Sequence, residues 1–338
     1  MDAYTDVLIR RISALSSLSG IRQFSSVYFG GGTPTALGVR RLCAILDEAA
    51  RVGLAGNAEV SLEANPATVR PDGLRSLKTS GFNRISIGVQ SFIPEELSAL
   101  GRIHTVYDAK KAVSDAFGAG FSNVSLDLML GLPGQTVLRA ESSVDTALAL
   151  GVTHLSAYCL KLEPGTPMYR AYPGGRGLPD DDETADIYLS CTDKLSAAGM
   201  EQYEVSNFSR PGFRCRHNLL YWELGEYIGL GPSAHSFFGG KRFFFPRGDA
   251  FSLPFSQPFS GAEHESFDPE TEYIMLSLRT SKGVSRRRLP PGGVEILSLC
   301  ASRGLARETE DGFRLTPEGF LVSNQIISDI LLKGNTST

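Results

Sequence analysis

Short apolar runs alternate with amphipathic stretches through the first half of the chain. Five runs have the composition of strands, at residues 27–29, 59–62, 85–89, 123–130 and 154–162. Helical stretches separate them, at residues 39–50, 72–79, 107–118 and 139–150. Because strand and helix alternate at this spacing and the strands are nearly continuous in apolar residues, the pattern predicts repeated βα units on a buried parallel sheet.

The periodicity weakens in the second half. A helix is predicted at 183–198, a loop-rich aromatic region at 201–245, and a linker rich in Pro, Ser and Phe at 243–259. A separate small unit follows, with a helix at 273–278, a hairpin at 304–307 and 313–316, and a closing helix at 320–332. Helices followed by a hairpin are typical of a winged-helix-like domain. We therefore expect three parts, a barrel-like domain at 1–200, a loop-rich region and linker at 201–260, and a winged-helix-like α+β domain at 261–338.

Three glycines, Gly30, Gly31 and Gly32, follow the first predicted strand. Glycine lets backbone N–H groups approach an anionic or polar ligand group. The run is neither a G-x-x-x-x-G-K-[ST] phosphate loop nor a G-x-G-x-x-G fingerprint. The alternative is a tight strand-to-helix turn, with Pro34 near the start of the helix. From the residues alone, both interpretations stay open.

Polar side chains also lie at or near the ends of later strands. Glu63 and Gln90 end the second and third strands, Arg102 lies in the next loop, and Asp127 is in the fourth strand. Because the carboxyl ends of parallel strands share one rim, these groups could hold a ligand with an amino group, a carboxylate and hydroxyls. The alternative is internal salt bridging, such as Arg102 with Asp127.

Composition narrows the classes of function. The 338 residues are 42% hydrophobic and carry a net charge of −4, which does not favour a general nucleic-acid binder. No apolar run is long enough for a transmembrane helix, and no signal peptide is recognised at the N-terminus. The five cysteines are far apart, which favours reduced thiols in the cytoplasm over a disulfide framework.

One histidine stands out in the aromatic region. His217 lies in "CRHNLLYW", beside the only tryptophan of the chain. Histidine is a common axial ligand of haem iron, and aromatic faces can cover a porphyrin. A lone histidine is more often structural, so spacing alone leaves haem ligation as the weaker alternative. His235, in "GLGPSAHSF", is a second candidate with less support.

An ordered set of motifs carries a resemblance. The chain contains "YFGGGTP", "EANP", "RISIGVQSF", "LGRIH", "SLDLMLGLPGQT", "LEPGTPMY", "YEVSNFSRPGFRCRHNLLYW" and "YIGLGPSAHSF" in this order. The set resembles the oxygen-independent coproporphyrinogen III oxidase family of radical-SAM proteins, and within it the haem-chaperone branch. The resemblance covers residues 4–332 and implies an α/β fold, a partial (β/α)₆ barrel whose first strand is missing here.

The resemblance also implies ligands. It assigns S-adenosylmethionine to Gly31, Gly32, Thr33, Glu63, Gln90, Arg102 and Asp127. It assigns haem to the H-N-x-x-Y-W element, which matches His217, Asn218, Tyr221 and Trp222, with His217 as the candidate iron ligand. The expected partners are haem and a recipient haemoprotein, with a homodimer as an open alternative. No nucleic-acid partner is expected, and membrane contact is expected only through a recipient.

One family feature is absent from the printed sequence. The family has a C-x-x-x-C-x-x-C segment that ligates a 4Fe-4S cluster, and no such segment occurs here. We expect either a truncated chain or a relative that has lost the cluster. Without the missing strand, residues 27–29 are expected to form an open sheet edge. A haem chaperone is the favoured function, and a radical-SAM oxidoreductase acting on a porphyrinogen is the alternative.

Overall fold

The computed structural model describes residues 1–18, 23–252, 254 and 256–333. Its helices are α1 (Asp2–Ala14), α2 (Val39–Gly53), α3 (Pro71–Thr79), α4 (Pro94–Ala99), α5 (Val106–Gly118), α6 (Val137–Ala149), α7 (Pro167–Ala171), α8 (Asp181–Ala197), α9 (Arg216–Trp222), α10 (Pro269–Ser277), α11 (Pro291–Ser302), α12 (Pro317–Leu321) and α13 (Ser323–Lys333). Its strands are β1 (Phe24–Phe29), β2 (Leu54–Ala64), β3 (Arg84–Gln90), β4 (Asn123–Leu130), β5 (His154–Cys159), β6 (Glu201–Gln202), β7 (Asn207–Ser209), β8 (His235–Phe238), β9 (Lys241–Phe244), β10 (Glu263–Glu265), β11 (Val284–Ser285), β12 (Ala306–Glu308) and β13 (Gly312–Leu315). Short 3₁₀ turns lie at Leu15–Ser17, Pro34–Leu37, Pro66–Thr68, Pro173–Gly175, Asp249–Ser252 and Arg286–Arg288.

All five strands predicted in the first half are present in one sheet. The strand order is β1-β2-β3-β4-β5-β7-β6. β1 pairs with β2 in parallel, with Tyr28 opposite Ser61, and β4 pairs with β5 in parallel. β7 is antiparallel to both β5 and β6. The predicted parallel α/β sheet is confirmed, and β1 lies at one end of the strand order, as expected for an edge.

The chain divides into two compact units. The first contains Met1–Ser86, Asp115–Ser122 and Cys215–Asp268, and the second contains Ile87–Ser114, Asn123–Arg214 and Pro269–Thr338. β3 begins in the first unit and ends in the second. The three-part division expected from the sequence stays a prediction, and its last part, 261–338, extends past the described residues at 334–338.

α1 ties the first unit together, although sequence patterning did not predict this helix. Its apolar side chains join a core formed by Val7, Leu8, Ile12, Ile45, Ala49, Phe245 and Phe251. Arg11 of α1 is 0% exposed, and its guanidinium donates to the carbonyl oxygens of Phe251, Pro258 and Ser260. Because these carbonyl oxygens satisfy the buried guanidinium, Arg11 holds α1 against the segment that the sequence predicts to be a linker. Residues 253 and 255 of that segment lie outside the described residues.

The end of the second unit has the arrangement predicted for a winged-helix-like domain. α10, β11, α11 and the β12–β13 hairpin follow one another, and the strands form a sheet in the order β11-β13-β12. Its core contains Ile274, Leu278, Val284, Leu297, Phe313, Leu315, Phe320, Ile326, Ile327 and Ile330, among others.

Among the described residues, no helix combines the length and apolar character needed to cross a bilayer.

The predicted closing helix at 320–332 is wrong in one respect, because two helices occupy this part of the chain. α12 begins after Thr316, whose hydroxyl oxygen accepts a hydrogen bond from the Gly319 N–H at 3.1 Å. Val322 then leaves the helical region, with φ −110° and ψ 16°, and α13 begins at Ser323. The N-terminal cap and Pro317 favour a helix start several residues earlier than apolar periodicity indicated.

A buried carboxyl group lies between β6 and β7 in the second unit. Glu204 is 1% exposed, and it accepts hydrogen bonds from the Ser206 N–H at 3.1 Å and from the Asn207 amide nitrogen. Burial raises the pKa of Glu204 to about 7, although these donors act in the opposite direction. The Asn207 Oδ1 atom is buried and has no hydrogen-bond partner among the described residues. With the Asn207 amide rotated, its Oδ1 atom would accept a hydrogen bond from the O–H group of neutral Glu204, which is consistent with the raised pKa.

We expect Glu204 to make stability depend on pH. Because the folded pKa lies above the unfolded value, the folded state retains a proton that the unfolded state loses, so the contribution is complete below the unfolded pKa and is lost as pH rises through about 7. The free energy of unfolding should fall by up to about 3 kcal/mol between pH 5 and pH 8 from this group. Urea unfolding at pH 5 and pH 8 measures this difference in the free energy of unfolding, which should be absent in Glu204→Gln. Glu201→Gln, at an exposed site on β6, is the control, and an equal pH dependence in Glu204→Gln would contradict the assignment.

Candidate functional site

A buried carboxylate positions the short helix that carries the "HNLLYW" element. Glu59 on β2 is 4% exposed and lies beside the start of α9. Its two oxygens accept hydrogen bonds from the backbone N–H groups of Arg216 and His217, each at 3.0 Å, and the Cys215 Sγ lies 3.4 Å from Oε1. The first N–H groups of a helix have no partner within the helix. Glu59 satisfies two of these N–H groups, and it therefore fixes the position of the first turn of α9, which carries the His217 side chain.

The imidazole of His217 contacts three side chains, and both ring nitrogens have a partner. Nδ1 lies 2.8 Å from the Ser26 hydroxyl, and Nε2 lies 2.7 Å from the Tyr221 hydroxyl. The Tyr28 ring stacks on the imidazole, with 4.8 Å between ring centroids and 16° between planes. Ser26 and Tyr28 are two residues apart on β1 and therefore face the same side of the strand. β1 thus sets both the plane and the rotation of the imidazole.

The environment keeps His217 neutral at physiological pH. Burial lowers the pKa of His217 to about 4, with Arg84 acting in the same direction and Glu59 opposing it. A neutral imidazole has a lone pair available for a metal, whereas an imidazolium does not. The structure therefore presents His217 in the protonation state that a metal ligand requires.

A cavity of about 690 Å³ lies beside this cluster within the first unit. Its walls come from α1, β1, the glycine turn, α9 and the segment after α9, and they include Tyr4, Leu8, Ile12, Val27, Tyr28, Leu37, His217, Leu220, Tyr221, Tyr227, Leu230, His235 and Phe238. Tyr221 and Tyr227 meet edge to face, with 4.5 Å between ring centroids. The cavity has the size typical of a site for a large organic ligand, and its lining combines aromatic and aliphatic side chains with polar ones.

The other residues of the predicted haem site are distributed unequally around this cavity. Asn218 and Trp222 are half-buried on α9, and neither belongs to the described lining. His235 does line the cavity, where it stacks on Phe244 and lies 3.2 Å from a carboxylate oxygen of Glu265. The cavity therefore offers two imidazoles, of which His217 is the more buried.

In the glycine turn after β1, Gly31 and Gly32 have free space beside them, whereas Gly30 is closely packed. Gly31 and Gly32 have φ of +84° and +147°, and a Cβ at either position would meet no atom within 4 Å. A Cβ on Gly30 would lie 2.5 Å from the Tyr28 ring and 2.9 Å from Glu63 Oε1. The Gly31 N–H donates to Glu63 Oε2 at 3.2 Å, and the Tyr28 hydroxyl donates to Oε1 at 2.8 Å. Bare backbone beside a carboxylate fits the amino-acid end of S-adenosylmethionine, with Thr33 exposed at the end of the turn.

The remaining residues predicted for S-adenosylmethionine lie in the second unit. Gln90, at the end of β3, has φ +73° and accepts a hydrogen bond from the Tyr158 hydroxyl at 3.0 Å. Arg102 donates to the Gly88 carbonyl, and its buried Nε has no hydrogen-bond partner among the described residues. Burial lowers the pKa of Arg102, while Tyr158 and Asp127 oppose this effect. An unpartnered donor on a half-buried guanidinium fits a carboxylate ligand.

The structure therefore brings together residues that sequence reasoning assigned to different sites. In the first unit, Tyr28 touches His217 of the predicted haem site and Glu63 of the predicted S-adenosylmethionine site. Sequence reasoning did not identify Tyr28, Ser26 or Glu59. The available signal was Glu59, an acidic residue at the start of the predicted strand at 59–62. Whether the glycine turn and the second-unit residues share one ligand stays a prediction of the sequence.

The cysteines do not form a cluster site. Cys43 is half-buried, Cys159 is exposed, and Cys191, Cys215 and Cys300 are buried, all as free thiols. The described residues contain no group of three or more His, Cys, Asp or Glu side chains arranged to hold a metal ion. The residues present here therefore do not fit a 4Fe-4S cluster.

Comparisons with known proteins agree with these features. Residues 12–147 match the model of the radical SAM superfamily. The chain is 38% identical to the heme chaperone HemW of Mycobacterium tuberculosis over 313 residues, which is 90% of this chain and 80% of that protein. It is 33% identical to the heme chaperone HemW of Bacillus subtilis over an alignment of 350 positions, which covers 98% of this chain and 92% of that protein.

A solved structure shows the same fold. The coproporphyrinogen III oxidase HemN of Escherichia coli, a radical SAM enzyme, superposes with a TM-score of 0.80 and 22% identity. The superposition covers 98% of this chain and 83% of that chain. It confirms the predicted α/β fold class of the radical SAM partial barrel.

Gly30 gives a test of the glycine turn. We expect Gly30→Ala to separate the Tyr28–Glu63 pair, because the added methyl group would overlap both side chains. Overpacking of this kind costs about 1–3 kcal/mol of the free energy of unfolding, which chemical denaturation would measure. Gly56→Ala on β2 is the matched control, because a Cβ there would meet no atom within 4 Å. Equal stability of the two variants would contradict the close packing under the turn.

Proposed function

The chain belongs to the HemW family within the radical SAM superfamily, and from this membership we propose that it is a haem chaperone that binds haem at His217 and delivers it to a recipient haemoprotein. One observation carries the proposal, which is the position of the His217 imidazole at the wall of a cavity of about 690 Å³. Neutral histidine is a usual axial ligand of haem iron. The tyrosine and aliphatic side chains of the cavity supply faces against which a porphyrin can pack.

We assign the iron to the Nε2 atom of His217. The opposite nitrogen, Nδ1, lies 2.8 Å from the hydroxyl of Ser26, a short side chain on β1. The partner of Nε2 is Tyr221, a side chain on the same short helix that is 38% exposed and can rotate toward solvent. A proton on Nδ1 that is donated to Ser26 would leave the lone pair on Nε2 and increase its basicity as a ligand.

S-adenosylmethionine is the second proposed ligand. The glycine turn, Gly31, Gly32 and Thr33, together with Glu63, would contact its amino-acid end in the first unit. Gln90, Arg102 and Asp127 are the further proposed contacts, carried over from the family motifs. When bound, S-adenosylmethionine supplies a sulfonium that can be cleaved by reduction, and the residues of this chain bind and orient it.

The assignment of the iron ligand predicts the effect of removing the imidazole. Ferric haem added to the wild-type protein should give a shifted Soret band, and His217→Ala should weaken binding by at least about tenfold because the bond to iron is lost. His235→Ala, which removes the other imidazole of the same cavity, should change the dissociation constant less than about twofold. Loss of the Soret shift in His235→Ala alone would transfer the ligand role to His235. Equal affinity in all three proteins would contradict haem binding in this cavity.

Tyr221 gives a second prediction. Its hydroxyl must release Nε2 before iron can bind, so Tyr221→Phe should tighten haem binding by about two- to tenfold, the range set by one net hydrogen bond. The same Soret titration measures this effect, with Tyr227→Phe as the control for a neighbouring ring whose hydroxyl does not contact His217. Weaker binding in Tyr221→Phe would show instead that the hydroxyl contacts the haem.

A further inference from the structure

Tyr28 contacts both His217 and the carboxylate of Glu63, which accepts a hydrogen bond from the glycine turn. Its ring stacks on the His217 imidazole, and its hydroxyl donates to Glu63 Oε1 at 2.8 Å. Glu63 uses its other oxygen to accept the Gly31 N–H. A continuous series of direct contacts therefore runs from the proposed iron ligand to the backbone of the turn.

The side chains at both ends of this series of contacts are closely packed. Gly30 packs directly against the Tyr28 ring, because a Cβ at this position would lie 2.5 Å from the ring. At the other end, Ser26 holds the Nδ1 atom of His217 at 2.8 Å, so the imidazole cannot rotate freely away from the ring.

We propose that Tyr28 is a positioning residue that couples occupancy of the glycine turn to the strength with which His217 binds haem. The inference rests on the proposed haem site at His217. The Tyr28 hydroxyl donates to Oε1 of Glu63, and the Gly31 N–H donates to Oε2. A ligand whose ammonium group binds Glu63 shares the charge of the carboxylate with Tyr28, which weakens the hydrogen bond from the hydroxyl and lets the ring shift against the imidazole.

The coupling acts in both directions. A ligand at the turn changes haem affinity by the same factor by which haem changes the affinity of that ligand, because coupling free energies are reciprocal. A single hydrogen bond and one ring stack transmit the effect, so we expect a factor of about three to ten.

A double-mutant cycle tests the coupling without adding a second ligand. The proteins are the wild type, Glu63→Gln, Tyr28→Phe and the double variant, and the measurement is the dissociation constant of ferric haem from Soret titration. Glu63→Gln removes the charge at one end of Tyr28, whereas Tyr28→Phe keeps the stacked ring and removes the hydroxyl. We expect Glu63→Gln to change the haem dissociation constant about three- to tenfold in the wild type and less than about twofold in the Tyr28→Phe background. Equal effects of Glu63→Gln in the two backgrounds would overturn the proposal.

A hydroxyl elsewhere in the cavity supplies the control. Tyr4 lines the same cavity, and its ring lies near Phe251. The effect of Glu63→Gln should persist in full in the Tyr4→Phe background. Loss of the effect there as well would show a general response of the cavity and would overturn the specific role of Tyr28.

A readout that needs no haem separates this proposal from the proposed function. The ring signals of His217 in the NMR spectrum, assigned by comparison with His217→Ala, report the stacking directly. Glu63→Gln should shift them in the wild type and leave them unchanged in the Tyr28→Phe background. If haem affinity does not depend on His217 but this pattern is observed, the haem assignment fails while Tyr28 still connects the two groups. Signals that shift equally in both backgrounds would overturn the connection.

Discussion

The carboxylate of Glu59 is the constraint on which the site in the first unit depends. A buried charge is costly unless hydrogen bonds satisfy it, and Glu59 is satisfied by the backbone of Arg216 and His217. The same bonds satisfy N–H groups that would otherwise lack partners at the start of α9. The hydrogen bonds that stabilise the buried carboxylate are therefore the same ones that position the His217 imidazole. A change that releases α9 from β2 would leave a buried carboxylate and the helix N–H groups unpaired, and it would also move His217 away from β1.

The contacts around His217 explain why its protonation state is robust. Glu59 alone would favour the imidazolium, and buried Arg84 opposes it, so the two charges act against each other. Burial then decides the outcome and keeps the imidazole neutral. The backbone N–H groups of α9 further reduce the influence of Glu59, because they already share its charge. A histidine in this setting is presented as a ligand throughout the physiological pH range and does not act as a pH sensor.

The sequence was informative where structure depends on local patterns. Apolar runs located the five strands from β1 to β5, and the residues that follow them identified the glycine turn, Glu63 and Gln90. The H-N-x-x-Y-W element made His217 the candidate haem ligand, which stays a prediction. What the patterns could not supply is the contact between Ser26 and His217, which are 191 positions apart in the chain. Periodicity reports which residues share one helix or strand, but it does not report which elements meet. The short helix α9 was hidden for a related reason, since its seven residues are too few for apolar spacing to be recognised.

The same limit explains why two sites were inferred as separate. In sequence, "YFGGGTP" belongs to one motif and "HNLLYW" to another, and each has its own chemistry. In the structure, one strand serves both, because the residues of β1 before the turn face α9 while the turn itself faces Glu63. Tyr28 lies at the position where these two contacts meet, with its ring on the imidazole and its hydroxyl on the carboxylate. A strand that must satisfy both neighbours has few acceptable residues at this position. Phenylalanine keeps the stack but removes the hydroxyl that donates to Glu63 Oε1, and serine or threonine keeps a hydroxyl but is too short to span the two groups, so tyrosine meets both demands.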